Sequence, residues 1–264
     1  MNVGLIIVGD EILSGKRADK HMPKVIDLLA ARGMALAWVR YVGDVPQHIT
    51  ADLRDAFASG DAVFCCGGIG ATPDDHTRQC AATALNRPLQ LHPQARQLIL
   101  QRIQEIAAEH GTTADESDPD TRRRLQMGEF PAGSEIIPNP YNRIPGFSVG
   151  DVHFVPGFPV MAHPMIEWVL DTRYAHLHRH GAWQERSVIV MGTMEATLTP
   201  LMESIEAEFP GVKVFSLPSV DHPEWGRHIE LGVKGDPALL DAAFPALLTG
   251  LARYPARLGP QLVR

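Results

Sequence analysis

Three acidic positions within the first 75 residues have the spacing that chemistry on a phosphate group would need. Each follows an apolar run that predicts a strand: Val3–Val8 leads into Gly9-Asp10-Glu11, Ala35–Val42 into Gly43-Asp44, and Ala62–Cys66 into Gly67-Gly68-Ile69-Gly70-Ala71-Thr72-Pro73-Asp74-Asp75. In an open α/β sheet, ligands bind beyond the carboxyl ends of the strands. Asp10, Asp44 and Asp75 are therefore expected around one pocket, floored by a glycine loop whose backbone N–H groups face a phosphate. Carboxylates alone repel phosphate. The combination makes chemical sense with a divalent cation between them, because Mg²⁺ takes one or two carboxylates together with phosphate oxygens. The simpler reading of Asp74 and Asp75 is helix capping, with Thr72 as a competitor, and spacing does not say which of the two faces the pocket. Ser14 has the same duality of phosphate ligand or cap. The glycine cluster is neither a Walker loop nor a full dinucleotide fingerprint.

The elements that must hold these residues follow from periodicity. Met22, Val25, Ile26 and Leu29 fit one helix, ended by Gly33; Pro46 opens a second with Ile49, Leu53 and Phe57 on one face. A helix is expected from about Asp74 to Leu85, another from Gln94 to about His110, and one from about Met161 to Tyr174 despite Pro164. Gly111–Asp120 reads as a surface loop. The tract from His176 to Gly181 reads as a linker, and its alternating histidines as incidental rather than metal-binding. After it, a β-α-β-β-α order suits a small α+β sandwich. Two domains are expected, about 1–178 and 183–264.

Composition narrows the classes. The 264 residues carry a net charge of −7, so no footprint for nucleic acid is present. Cys65, Cys66 and Cys80 have no zinc or disulfide spacing, and Cys65 and Cys66 should face opposite sides of their strand. No apolar stretch has the length of a membrane span, and the chain opens on a strand without a leader pattern. The expectation is a cytoplasmic protein without membrane or nucleic-acid partners. His21 and His76 fall near the pocket as surface or packing residues, and the methionines read as packing.

The motifs Gly9-Asp10-Glu11-Ile12-Leu13-Ser14-Gly15, Val42-Gly43-Asp44 and Gly67 to Thr77 together resemble the molybdopterin-binding domain of the MoaB/MogA type. Phe130-Pro131-Ala132-Gly133-Ser134, Asn139-Pro140, Pro145-Gly146-Phe147 and Val155-Pro156-Gly157-Phe158-Pro159 are similar to the N-terminal part of CinA, the competence/damage-inducible protein, and 195–216 to the small second domain of CinA-type proteins. The resemblance implies a three-layer α/β/α sandwich with a mostly parallel sheet, followed by a small α+β domain. It implies a pocket for molybdopterin or a nucleotide diphosphate, and a homo-oligomer. It further implies Mg²⁺- or Mn²⁺-dependent pyrophosphatase activity on compounds such as ADP-ribose, the alternative being molybdopterin binding without turnover in molybdenum-cofactor synthesis. Carried across by motif, Asp75 and Asp44 match the active-site acids, and Gly67, Gly68 and Gly70 the phosphate loop. The residues themselves add the expectation that Asp75, with Asp44 or Asp10, holds the metal, and that Thr72, Asp10, Glu11 and Ser14 are further candidate ligand contacts. The sequence departs from the family at His21, often Asn there, in the tract Lys16–Lys20, and at Tyr141-Asn142-Arg143-Ile144, where Arg143 is either an anion contact or a solvated residue. The deamidase module of full-length CinA has no counterpart before Arg264, so that activity is not expected of this chain.

Overall fold

The computed structural model describes residues 1–112, 115–178 and 184–263. The chain divides into two compact units, 1–178 and 179–264. The first is built on a six-stranded sheet of order β2-β1-β3-β8-β7-β6. Its strands are β1 (Val3–Val8), β2 (Leu36–Val42), β3 (Ala62–Cys66), β6 (Glu135–Ile137), β7 (Gly146–Val149) and β8 (Val152–Val155). The four strands from β2 to β8 run parallel; β7 is antiparallel to β8, and β6, antiparallel to β7, returns to the direction of the four. All residues of β1, β3 and β8 are buried. That is why they read as continuous apolar runs, as strands covered on both faces do.

The two faces carry separate cores. Leu5, Ile7, Phe64 and Cys66 pack with α2 (His21–Ala30) and α7 (Pro159–Arg173). Ile6, Val63 and Cys65 pack with α3 (Pro46–Ser59) and α4 (Thr77–Leu85), the latter supplying Cys80. The result is the expected three-layer α/β/α sandwich, and the two adjacent cysteines do face opposite layers. The chain leaves β1 toward the α2 layer and leaves β3 toward the α4 layer. The point between β1 and β3 where connections part to opposite faces is where open α/β sheets form their ligand crevice.

Several boundaries differ from the sequence reading. The helix expected near Asp74 begins at Thr77, and its N-terminal flank is His76, with no side-chain cap. Neither Asp74 nor Asp75 caps it. Ser14 does not cap the next helix either: it ends the short α1 (Asp10–Leu13). The carboxylate of Asp19 instead accepts the N–H groups of His21 and Met22 at 2.7 and 3.1 Å. The 111–120 loop closes with Asp118, whose side chain accepts from Asp120 N–H to start α6 (Pro119–Gln126), an unexpected helix preceded by α5 (Pro93–Glu109). A second, two-stranded sheet pairs β4 (Leu89–Leu91) with β5 (Glu129–Pro131). Arg143 has φ of 66° and an ion pair at 2.8 Å with Glu105 of α5, so it ties its loop to that helix. Of the alternating histidines, His176 lies in a 3₁₀ turn and the His178 ring bonds the Leu170 carbonyl at 3.1 Å; His180 lies outside the described residues.

Arg32 ties α2 to α7. It is buried, and its guanidinium donates to both oxygens of Asp171 at 2.6 and 2.7 Å, to Glu167 at 3.3 Å and to the Leu28 carbonyl. The paired geometry holds the Asp171 carboxyl below the usual carboxylate range. Both carboxylates are half exposed, so water replaces much of what Arg32→Ala removes. The substitution should cost about 1–2 kcal/mol, read as a lower urea midpoint with an unchanged slope. A variant as stable as the parent would show that the pair contributes nothing.

The second unit has strands β9 (Gln184–Met191), β10 (Lys213–His222), β11 (Gly226–Gly235) and β12 (Arg257–Val263) in the order β10-β11-β9-β12, all antiparallel. Helices α8 (Glu195–Glu208) and α9 (Pro237–Leu251) pack against Val188, Val190, Ile229, Leu231 and Val233. The β-α-β-β-α order is present, with β12 added at its end. Among the described residues no helix is long and apolar enough to cross a membrane.

Candidate functional site

The register of the sheet brings the acidic positions together. Val8 pairs with Val42 across β1 and β2, so Asp10 and Asp44, each two residues on, stand side by side. They exchange hydrogen bonds: Asp10 N–H donates to Asp44 Oδ2 at 2.9 Å and Asp44 N–H to Asp10 Oδ1 at 3.2 Å. Gly43 leaves the space that the Asp10 carboxylate fills, and Gly9 does the same for Glu11. Burial, together with the negative charges of Asp10, Glu11 and Asp74, raises the Asp44 pKa, while the bond from Asp10 N–H opposes the rise. Among the described residues none of Asp10, Glu11, Asp44 or Asp74 has an ion-pair partner. This is a patch of like charge left unneutralised by the protein.

The glycine loop lies beside it. Gly67 and Gly68 have φ of 107° and 68°, conformations that side chains rarely adopt. Gly67 N–H donates to the Val155 carbonyl at 3.0 Å, which fixes the loop to the end of β8, and Thr77 N–H donates to the Gly68 carbonyl at 2.9 Å. Among the described residues no acceptor takes the N–H groups of Gly68, Ile69 and Gly70. The Thr77 hydroxyl, fully buried against Gly68, also lacks a partner. A buried donor left unmade, as the Thr77 hydroxyl is, costs free energy.

Asp75 occupies the space over Gly70, where an added Cβ would stand 2.5 Å from its Oδ2. That oxygen accepts the Thr72 N–H at 2.8 Å and the Thr72 hydroxyl at 2.5 Å. Thr72 is thereby engaged by its own loop. Asp74 is exposed. Ser14 is exposed, with its backbone N–H bonded to the Asp10 carbonyl.

Two residues that the sequence did not single out, or read as peripheral, hold this loop. Arg78 is buried; its guanidinium donates to the Gly70 carbonyl at 2.7 Å and to the Gln126 carbonyl at the end of α6. Burial lowers its pKa, against the pull of Glu129 and Asp75. His21 is buried as well, with Nε2 at 3.0 Å from the Gly157 carbonyl oxygen. An acceptor at that distance puts the proton on Nε2. Burial lowers the His21 pKa, and edge-to-face contact with His163, ring centroids 5.4 Å apart, adds to the neutral packing. A helical or amphipathic pattern treats an arginine as a surface residue, so no local signal pointed to Arg78.

The carboxylates can be tested against a metal. Among the described residues, no three His, Cys, Asp or Glu side chains converge to hold an ion. Asp75 is not gathered with Asp10 and Asp44 into one ligand set, and one of its oxygens is committed to Thr72. Asp10 and Asp44 each commit one carboxylate oxygen to the other's backbone N–H, which leaves one oxygen on each without a partner among the described residues. They do not form a closed cage. Two surface clefts of about 210 and 250 Å³ lie elsewhere, one along Trp38 and Arg40 and one near Arg87 and Asp151; the glycine loop lines neither.

The glycine loop and the Asp10–Asp44 pair thus stand together at the carboxyl ends of the parallel strands of a doubly wound sheet. Residues 4–176 match the family described as "Probable molybdopterin binding domain", and the chain belongs to that family. A CinA-like protein of Anaeromyxobacter dehalogenans is 32% identical over 175 residues, which cover 64% of this chain and 40% of that protein. A protein of Pyrobaculum calidifontis is 29% identical over 232 residues, 85% of each chain. The crystal structure of the protein CinA from Thermoplasma acidophilum, titled as of unknown function, aligns with a TM-score of 0.54 at 25% identity, covering 65% of this chain and 98% of that one. The chain thus spans about two fifths of the length of the first of these CinA-like relatives.

Proposed function

We propose that the first unit binds a phosphate-bearing pterin or nucleotide at 67–70 and hydrolyses a nucleotide diphosphate linkage with a divalent cation. The observation that carries the reading is the set of unpaired donors in one place: three successive N–H groups and the buried Thr77 hydroxyl, at the N-terminus of α4. A phosphate completes them, and the positive end of the helix dipole adds to the attraction. Asp10 and Asp44 would hold Mg²⁺ or Mn²⁺, which when bound screens their charge from the phosphate and supplies Lewis-acid polarisation of a phosphoryl oxygen. Asp75 keeps the loop in register through Thr72 and contributes its charge beside Arg78. The same reading includes a cytoplasmic homo-oligomer. The second reading is a molybdopterin-binding protein without turnover, linked to molybdenum-cofactor synthesis; the family description names a binding domain and is compatible with either reading.

Asp75→Asn separates the two. An amide oxygen still accepts from Thr72, so the loop should persist and stability should change by about 1 kcal/mol or less. The negative charge is lost. With ADP-ribose and Mg²⁺ or Mn²⁺, turnover by the parent, at least a 100-fold fall in Asp10→Asn and Asp44→Asn and a smaller fall in Asp75→Asn are the expected result, with EDTA abolishing both activity and tight binding. Stoichiometric pterin binding without turnover, indifferent to EDTA and strengthened by Asp75→Asn, would overturn the hydrolase and leave the binder.

A further inference from the structure

Phe158 follows Gly157, which packs on Gly67 of the glycine loop; the residue is 56% exposed, and Val160 equally so. The backbone that carries Phe158 is fixed on both sides. Before it, Gly157 packs against Gly67, an ideal Cβ on Gly157 standing 3.5 Å from Gly67 Cα, and the Gly157 carbonyl accepts from His21 at 3.0 Å. After it, the Phe158 carbonyl accepts the N–H groups of Met161 and Ala162 at 3.0 and 2.9 Å, which starts α7. One residue before, Pro156 follows the Val155 carbonyl that accepts from Gly67 N–H. Adjacent Cα atoms are about 3.8 Å apart. Phe158 is therefore within side-chain reach of whatever occupies the loop at Gly67 and Gly68. Among the described residues it meets no other ring. An exposed aromatic on an anchored backbone loses little freedom when a flat ring lies on it, and its face is open to stacking.

We infer that Phe158 is the platform for the planar heterocycle of a phosphate-bearing ligand, and so a specificity-determining residue that selects ring-bearing phosphates over simple sugar phosphates. The inference rests on the glycine loop as the phosphate site. Stacking on every ring with a π-face gives a preference for flat heterocycles as a class, and both a purine and a pterin satisfy it.

Calorimetry with the full chain tests it, using ADP and neopterin triphosphate as ring-bearing probes and inorganic pyrophosphate and ribose 5-phosphate as ring-free ones. Phe158→Ala should weaken one or both ring-bearing probes by about 5- to 100-fold and leave pyrophosphate unchanged, with Phe158→Trp restoring the loss. Whichever probe shows the larger loss identifies the ring. Equal weakening of pyrophosphate and ADP, no change for any probe, or an altered oligomer size in place of altered ring affinity would overturn the platform. If the parent binds pyrophosphate, the phosphate site stands whatever Phe158 does; if it binds none of the four probes, both readings fall.

Discussion

Gly67→Ala should remove phosphate binding by more than 100-fold and destabilise the first unit by about 2–6 kcal/mol. The φ of 107° at Gly67 lies outside even the left-handed region that Asn tolerates, so an L side chain is strained there whatever the space. The space is also missing: a Cβ would press on the Val8 carbonyl at the end of β1, and backbone yields less readily than a side-chain tip. Relief of that clash must move either β1 or the loop. Moving the loop breaks the Gly67–Val155 hydrogen bond and scatters the free N–H groups that follow. Gly60→Ala is the control. Gly60 also has a positive φ, 70°, but ends α3 in open space with nothing within 4 Å. It should cost about 1–2 kcal/mol and leave binding intact. Urea unfolding and pyrophosphate calorimetry on both variants decide the matter. Equal behaviour of the two would mean that the loop geometry is incidental to binding.

The contrast explains what was legible before the fold was known. Strand ends could be read because glycine and acid punctuate apolar runs at Val8, Val42 and Cys66. The expectation that the acids gather at the strand ends did not include a register; the parallel pairing of Val8 with Val42 is what sets Asp10 beside Asp44. The start of α4 could not be read from Asp74 and Asp75, because acids before a helix look like caps whether or not they cap. Here Asp75 closes a turn on Thr72, and the helix waits until Thr77. Buried polar residues escaped for a different reason. Arg78 satisfies carbonyls 8 and 48 positions away in the chain, and such long-range partners leave no periodicity. Strand β12, with Gly259 and Pro260 in its middle, lacks the alternation that marks a strand. It is recruited by the free edge of β9 and not by its own propensity.

His153 is the furthest of these hidden residues from any local signal and carries the largest pH effect. It is fully buried in β8, with Nδ1 at 2.8 Å from Ser148 Oγ and Nε2 at 2.7 Å from the Tyr174 hydroxyl, which donates in turn to Asp151 at 2.9 Å. With the Tyr174 proton committed to Asp151, His153 Nε2 must carry its own proton and donate to the Tyr174 oxygen, so Nδ1 accepts from Ser148. Every position around the ring is filled with the imidazole neutral. Burial, helped by the charge of Arg173, lowers its pKa to about 3. In the unfolded chain the value is near 6.5. Between those limits the unfolded state binds more protons, so stability falls as pH falls from about 6.5 toward 3 and is fully present above 6.5. Each pH unit is worth about 1.4 kcal/mol, which sets an upper bound of about 5 kcal/mol for the whole window. His21 adds to the loss with the same sign. Asp171, held low by Arg32, begins to contribute only below about pH 4. His153→Gln isolates the effect, because an amide can accept from Ser148 and donate to Tyr174 but does not titrate. It should be the less stable protein at pH 7.5, through imperfect packing beside Phe64, whose ring centroid lies 5.2 Å from that of His153. Its urea midpoint should then fall far less than the parent's between pH 7 and pH 4.5, so that the two curves converge. Parallel curves over that range would show that His153 is not the proton acceptor that unfolding exposes.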